Sequence, residues 1–117
     1  MPLIEILLLP SAEQVDRAAV ARAVNAAVAE AIPCRLDAVW TVWRTIDGPF
    51  VRGAAVSGEH AEGRFGPVVH VYHHRTAEEV DRIAEAIETV LARWLSLDRS
   101  DIFVTTQPVS IPDPTLP

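Results

Sequence analysis

Pro2 is the residue of this sequence whose position could most directly do chemistry. It follows Met1 and opens an apolar run, Leu3-Ile4-Glu5-Ile6-Leu7-Leu8-Leu9. Once Met1 is removed, Pro2 presents a secondary amine with no amide attached. An ordinary α-amino group titrates near about 7.7–8.0. Apolar surroundings lower that further, because desolvation disfavours the ammonium. Such a group serves as a general base, or as a nucleophile toward carbonyls. The alternative reading is structural: proline is tolerated as the first residue of a strand, and Pro2 then merely opens one.

Three histidines, His70, His73 and His74, stand beside Arg75 and invite a metal reading. On a strand, His70 and His74 share a face but lie about 13 Å apart at roughly 3.3 Å per residue, and His73 points the other way. One ion cannot collect them, so neither a metal nor another cofactor is expected. Cys34 is the single cysteine, which excludes an intrachain disulfide. Beside Pro33 it reads as a small packing residue at a helix end.

These groups need elements to position them. The run after Pro2 is apolar and ends at Pro10 and Ser11, so it reads as a buried strand that ties down the start of the chain. Ser11 and Gln14 form a capping-box pattern, predicting a helix from about Ala12 to Ile32, stopped by Pro33. Its apolar stripe is Val20, Val24, Ala27, Val28 and Ala31. Val39–Trp43 reads as a second strand, in which Trp40 and Trp43 face opposite sides. Glycines 48, 53, 58 and 63 punctuate a loop with a possible hairpin. Val68–His73 is a third strand. Thr76 and Glu79 form a second capping box, before a stripe of Val80, Ile83, Ala84, Ile87, Leu91 and Trp94. Ile102–Thr106 is a fourth strand, and the proline-rich tail from Pro108 reads as an irregular arm.

The two halves repeat. Ser11-Ala12-Glu13-Gln14-Val15-Asp16-Arg17 returns as Thr76-Ala77-Glu78-Glu79-Val80-Asp81-Arg82. At the same offset Pro2 meets Pro67, Ile4 meets Val69 and Ile6 meets Val71, while Asp37-Ala38-Val39-Trp40 returns as Ser100-Asp101-Ile102-Phe103. A tandem β-α-β chain pairs its strands in parallel within each half, through right-handed crossovers. Two such units make a four-stranded α+β (α/β) sheet with both helices on one face. The other face has no cover within the chain, which predicts an oligomer.

Length and composition bound the rest. The chain has 117 residues, half of them apolar, enough for one domain with a real core. A net charge of −6 with no Lys/Arg cluster argues against a nucleic-acid surface. No apolar run of about 18 residues and no signal-peptide pattern occurs, so no membrane and a cytoplasmic location are expected.

A proline directly after Met1, opening a strand in a duplicated β-α-β chain of this size, resembles the tautomerase superfamily. That group includes 4-oxalocrotonate tautomerase, macrophage migration inhibitory factor, malonate semialdehyde decarboxylase and cis-3-chloroacrylic acid dehalogenase. The resemblance implies a single tautomerase-like domain over 1–117, with β-α-β units at 1–46 and 67–109, a glycine-rich connection at 47–66 and a tail at 110–117. It implies a homotrimer. It also implies an isomerase or a lyase: a tautomerase or decarboxylase of a small 2-oxo, enol or 3-oxo carboxylic acid, with Pro2 as base or acid.

Carried across residue by residue, Arg75 matches an arginine that binds the substrate carboxylate. Its counterpart in the first half is Pro10. The decarboxylase and the dehalogenase carry a second arginine slightly earlier, where this chain has His73 and His74. His73 shares a parity with Arg75 and is placed nearest the substrate; His70 and His74 read equally well as surface or interface residues. Asp37 looks like the decarboxylase aspartate that positions the proline or water, or else it is a turn residue at a strand entrance. Gly48-Pro49-Phe50 is similar to the stretch of 4-oxalocrotonate tautomerase whose aromatic ring lines the site. That enzyme's second substrate arginine falls at Trp40, a departure that leaves Trp40 as a wall of the pocket and argues against the same substrate. The dehalogenase's water-activating glutamate lies in a longer arm than this chain offers, which disfavours hydrolytic dehalogenation. The competing class is a non-catalytic binding or assembly module, favoured if Met1 is retained.

Overall fold

A computed structural model describes residues 2–9, 15–59 and 65–110. Four strands form one mixed sheet in the order β2-β1-β5-β6, from β1 (Leu3–Leu8), β2 (Trp40–Thr45), β5 (Val68–His73) and β6 (Phe103–Pro108). β1 pairs with β2 in parallel and β5 with β6 in parallel, as a crossover within each half requires. The halves meet through antiparallel β1 and β5, with Leu3 opposite Tyr72 and Leu7 opposite Val68. A short hairpin of β3 (Val51–Arg52) and β4 (Ala55–Val56) realises the turn signal, with Gly53 at its tip at φ 62°, a conformation that favours glycine.

The helices are the crossovers. α2 (Ala77–Leu95) starts with the expected capping box: Thr76 Oγ1 accepts from the Glu79 N–H, and Glu79 accepts from the Thr76 N–H. It ends at Ser96 in the left-handed region. α1 (Arg17–Ala31) starts later than the sequence predicts. Asp16 is its N-cap, with a side chain that accepts from the Ala19 N–H at 3.1 Å, and Val15 lies outside the helix. Asp16 is itself a strong capping residue, so the helix can begin there. The expected Ser11–Gln14 box lies outside the described residues.

Period-2 and period-3.6 burial agree on one core. Ile4, Ile6, Val69 and Val71 from the sheet meet Val20, Val24 and Val28 of α1 and Ile83, Ile87 and Leu91 of α2, all fully buried. Trp43 packs against this core. Trp94 lies in the same angular stripe of α2 yet is 45% exposed. In the last turn of α2 it is Leu95, not Trp94, that packs against the core.

β6 continues through Pro108 instead of yielding to an arm there. An edge strand tolerates a proline, and the next residue still pairs: the Val109 N–H donates to the His73 carbonyl at 2.7 Å. The second face of the sheet carries rows Trp40–Leu3–Tyr72–Gln107, Val42–Glu5–His70–Thr105 and Arg44–Leu7–Val68–Phe103. Nothing in the chain's described residues covers it, and Trp40, Val42 and Phe103 are exposed. No helix among the described residues is long and apolar enough to cross a membrane.

Candidate active site

The chemistry-bearing residues gather where β1 begins, because the antiparallel register makes β5 end there. Pro2 is buried, and its carbonyl accepts from the Trp40 N–H at 3.0 Å. The register carried one step beyond Leu3–Tyr72 sets Pro2 opposite His73. His73 is the sole buried polar residue among those described, at 5% exposure. Its Nδ1 accepts from the backbone N–H of Arg75 at 3.2 Å. A lone pair on Nδ1 places the proton of the neutral ring on Nε2.

Arg75 is the last residue before the α2 cap. Its Nη1 approaches Glu79 Oε2 at 3.5 Å, and both side chains are 21% exposed. Its Nε is buried without a hydrogen-bond partner, the one such side-chain atom among the described residues. Leaving a buried donor unsatisfied costs about 1–3 kcal/mol. A cation here also opposes the helix dipole, an effect offset by Glu78 and Glu79 in the first turn. The Glu79 carboxyl is held below its ordinary range, first by the Thr76 backbone N–H and then by the Thr76 hydroxyl, Arg75 and Arg82, against an opposing desolvation. Glu79 thus holds Arg75 in addition to the capping role its sequence position predicts, a second role for which the spacing of four between the two residues is the sequence signal.

Asp37 sits at the same end of the sheet, on the 3-10 turn Leu36–Ala38 before β2. Its carboxylate pairs with Arg35 at 3.0 Å, and its carbonyl accepts from Trp40 Nε1 at 3.2 Å. Trp40 belongs to the open face, 59% exposed, on the opposite side of the sheet from Pro2 and His73. Phe50 lies at the other end of the sheet, beyond the end of β2, roughly 17–20 Å away for strands of this length. There its ring packs on Phe65 at 5.4 Å beside a cavity of about 280 Å³, bounded also by Gly66, Val68, Phe103 and the Arg52–Asp101 ion pair. One chain therefore brings together Pro2, His73 and Arg75, and keeps Asp37 nearby with its carboxylate outward. Trp40 and Phe50 are elsewhere, so a role for Phe50 at Pro2 requires a second chain.

His74 is exposed, and His70 has structural partners. His70 stands opposite Glu5, but Glu5 takes Arg44 at 3.2 Å, and His70 takes Thr105 through Nδ1 and Gln107 through Nε2. Among the described residues, no three His, Cys, Asp or Glu side chains converge as metal ligands.

No protein-family model matches the sequence, and no curated protein matches it. Solved structures do match the fold. A member of the cis-3-chloroacrylic acid dehalogenase family is 19% identical over 92% of this chain and 75% of its own, with a TM-score of 0.75. A native fused 4-OT is 17% identical over 92% of this chain and 87% of its own, with a TM-score of 0.74. A malonate semialdehyde decarboxylase inhibited by 3-bromopropiolate is 24% identical over 93% of this chain and 84% of its own, with a TM-score of 0.69. Other fused 4-OT structures of the same fold are described as symmetric and asymmetric trimers. The fold of this chain is that of the tautomerase superfamily.

Proposed function

We propose that this protein is an isomerase or lyase that moves a proton at a small 2-oxo, enol or 3-oxo carboxylic acid, through the amine of Pro2 after Met1 is removed. The observation that carries the reading is the pairing of a buried Pro2 with a buried, unpartnered Arg75 Nε at one end of the sheet. Arg75 binds the substrate carboxylate as a charge-assisted pair. With an enol acid, the neutral amine takes the hydroxyl proton and the resulting ammonium returns one to carbon, so the enol becomes the ketone with no net proton change. With a 3-oxo acid, the ammonium polarises the carbonyl while the bond to the carboxylate breaks, carbon dioxide leaves, and a proton goes to carbon. His73, opposite Pro2, is placed nearest the substrate, and Asp37 assists the proline once its carboxylate turns from Arg35.

The protein works as a homotrimer. The open, apolar sheet face supports this, and trimeric structures of the same fold add to it. Assembly buries that face, Trp40 included, and offers the Phe50 end of one copy as a wall for a neighbour's Pro2. The test is absorbance-monitored ketonisation of phenylenolpyruvate and 2-hydroxymuconate, with malonate semialdehyde decarboxylation measured beside it. Turnover of one of them is expected; inertness toward all three overturns the reading. A second reading, a binding or assembly module without catalysis, follows if Met1 stays on the mature protein, because Pro2 is then an amide nitrogen with no basicity. Intact mass separates the two.

A further inference from the structure

We infer that Arg75 receives the substrate carboxylate side-on, through its Nε–Nη2 edge, and that Glu79 is a positioning residue that fixes this edge by engaging Nη1. The inference rests on the proposed role of Arg75 as carboxylate anchor and adds how that anchor is held and what it selects.

A guanidinium is a rigid planar fork of five N–H donors. The hydrogens of Nε and Nη2 lie along one edge and can reach the two oxygens of one carboxylate; Nη1 lies on the opposite side, toward Cδ. In this structure Nη1 is the nitrogen that faces Glu79. Glu79 is itself held, since Oε1 accepts from the Thr76 N–H at 3.4 Å and from the Thr76 hydroxyl at 3.2 Å. The backbone of Arg75 is held too, by His73 Nδ1. The side chain is thus fixed at both its ends, and the remaining edge includes the Nε that has no partner.

A fixed edge of this kind, with its Nε desolvated, fits a planar pair of oxygens better than a single carbonyl. The charge balance narrows the ligand further. Arg75 and Glu79 together are neutral, and so are Glu78 of the same helical turn and its partner Arg82, at 3.8 Å. The four charges sum to zero, a field that favours a monoanionic carboxylate over a phosphate dianion. The structure therefore assigns this edge to a monocarboxylate head.

The test uses the full chain, ¹⁵N-labelled, with pyruvate as the probe. The Nε–H resonance of Arg75 is assigned by its disappearance in Arg75→Lys. In the wild type, pyruvate should shift that resonance saturably, and inorganic phosphate at the same concentration should not. Glu79→Gln keeps a capping-box side chain at its position, so the fold should hold, with a small loss of thermal stability near neutral pH from the missing charge. Its pyruvate dissociation constant should nevertheless rise by about threefold or more, and KM for a turned-over substrate should rise with kcat unchanged. A Glu79→Gln protein that binds pyruvate as tightly as the wild type overturns the positioning role. Pyruvate binding that leaves the Nε–H unmoved, or no binding at all, overturns the side-on edge. The catalytic reading fails separately: pyruvate held at Nε with no turnover of any substrate removes Pro2 catalysis and leaves this anchor standing. Turnover that depends on Pro2 but ignores Glu79 does the reverse.

Discussion

Pro2 and Pro67 occupy equivalent places: the Trp40 N–H donates to the Pro2 carbonyl at 3.0 Å, and the Phe103 N–H donates to the Pro67 carbonyl at 3.1 Å. Both prolines are buried, each before a central strand. What differs is the residue across the sheet. Pro2 faces His73, whose carbonyl accepts from Val109, while the equivalent partner of Pro67 is Leu8, whose carbonyl accepts from Ile46. Arg75 likewise has Pro10 as its counterpart. The duplication made two similar ends, and the Pro2 end has His73 and Arg75 where the other half of the repeat has Leu8 and Pro10.

Pro2→Ala should therefore disable catalysis without disturbing the fold. After Met1 removal the variant still has a free amine, but a primary one of different geometry and basicity. Turnover is expected to fall by about 10²–10⁴, the loss typical of a positioned acid–base group. Steady-state kinetics check this, with intact mass confirming the amino terminus. Pro67→Ala is the internal control and should leave turnover unchanged.

Arg75→Ala should act on binding. If the anchor serves ground state and transition state alike, KM rises and kcat holds. A fall in kcat at constant KM would place Arg75 in the proton-transfer step instead.

The depressed carboxyl of Glu79 makes a pH prediction. Its folded pKa lies below the ordinary 4.5, held there first by the Thr76 N–H. Its contribution to stability is complete above the unfolded value and is lost as pH falls through the folded one. Thermal melts of the wild type should show an acid decline below about pH 4.5, the ordinary glutamate range, and the decline should be shallower in Glu79→Gln. Parallel profiles for the two proteins would contradict the assignment.

Gly66→Ala should destabilise the protein. A Cβ at Gly66 would come within 2.0 Å of the Asp101 carbonyl oxygen, and backbone cannot rotate away as a side chain can. The expected cost is about 1–3 kcal/mol, as for other overpacked sites, read from the urea midpoint at unchanged slope.

The open sheet face makes a prediction about assembly. Light scattering of the wild type should give a trimer at micromolar concentration, and a clean monomer would refute it. Val42→Glu with Phe103→Glu places two charges on that face. The pair should shift the protein to monomer while far-ultraviolet circular dichroism stays native, because neither residue contributes to the core.

Local information determined much of this protein. Alternating burial in Leu3–Leu8 and Val68–His73, the Val20–Val24–Val28 and Ile83–Ile87–Leu91 stripes, and the Thr76–Glu79 box are written in residue spacing, because period and hydrogen-bonding type report on a single element. The duplication was legible for the same reason, and with it parallel pairing inside each half. Spacing could not say where α1 begins, since Ser11 and Asp16 are both capable caps and the choice depends on what packs around them. Nor could it place the side chains across elements. The antiparallel β1–β5 register, a long-range pairing, set Pro2 opposite His73, and the chain beyond β2, which runs parallel to β1, put Phe50 at the far end of the sheet. Whether a buried donor finds a partner depends on atoms from several elements at once. Only the tertiary structure could therefore show that Glu79 engages one side of the Arg75 guanidinium and that its Nε is left waiting for an acceptor.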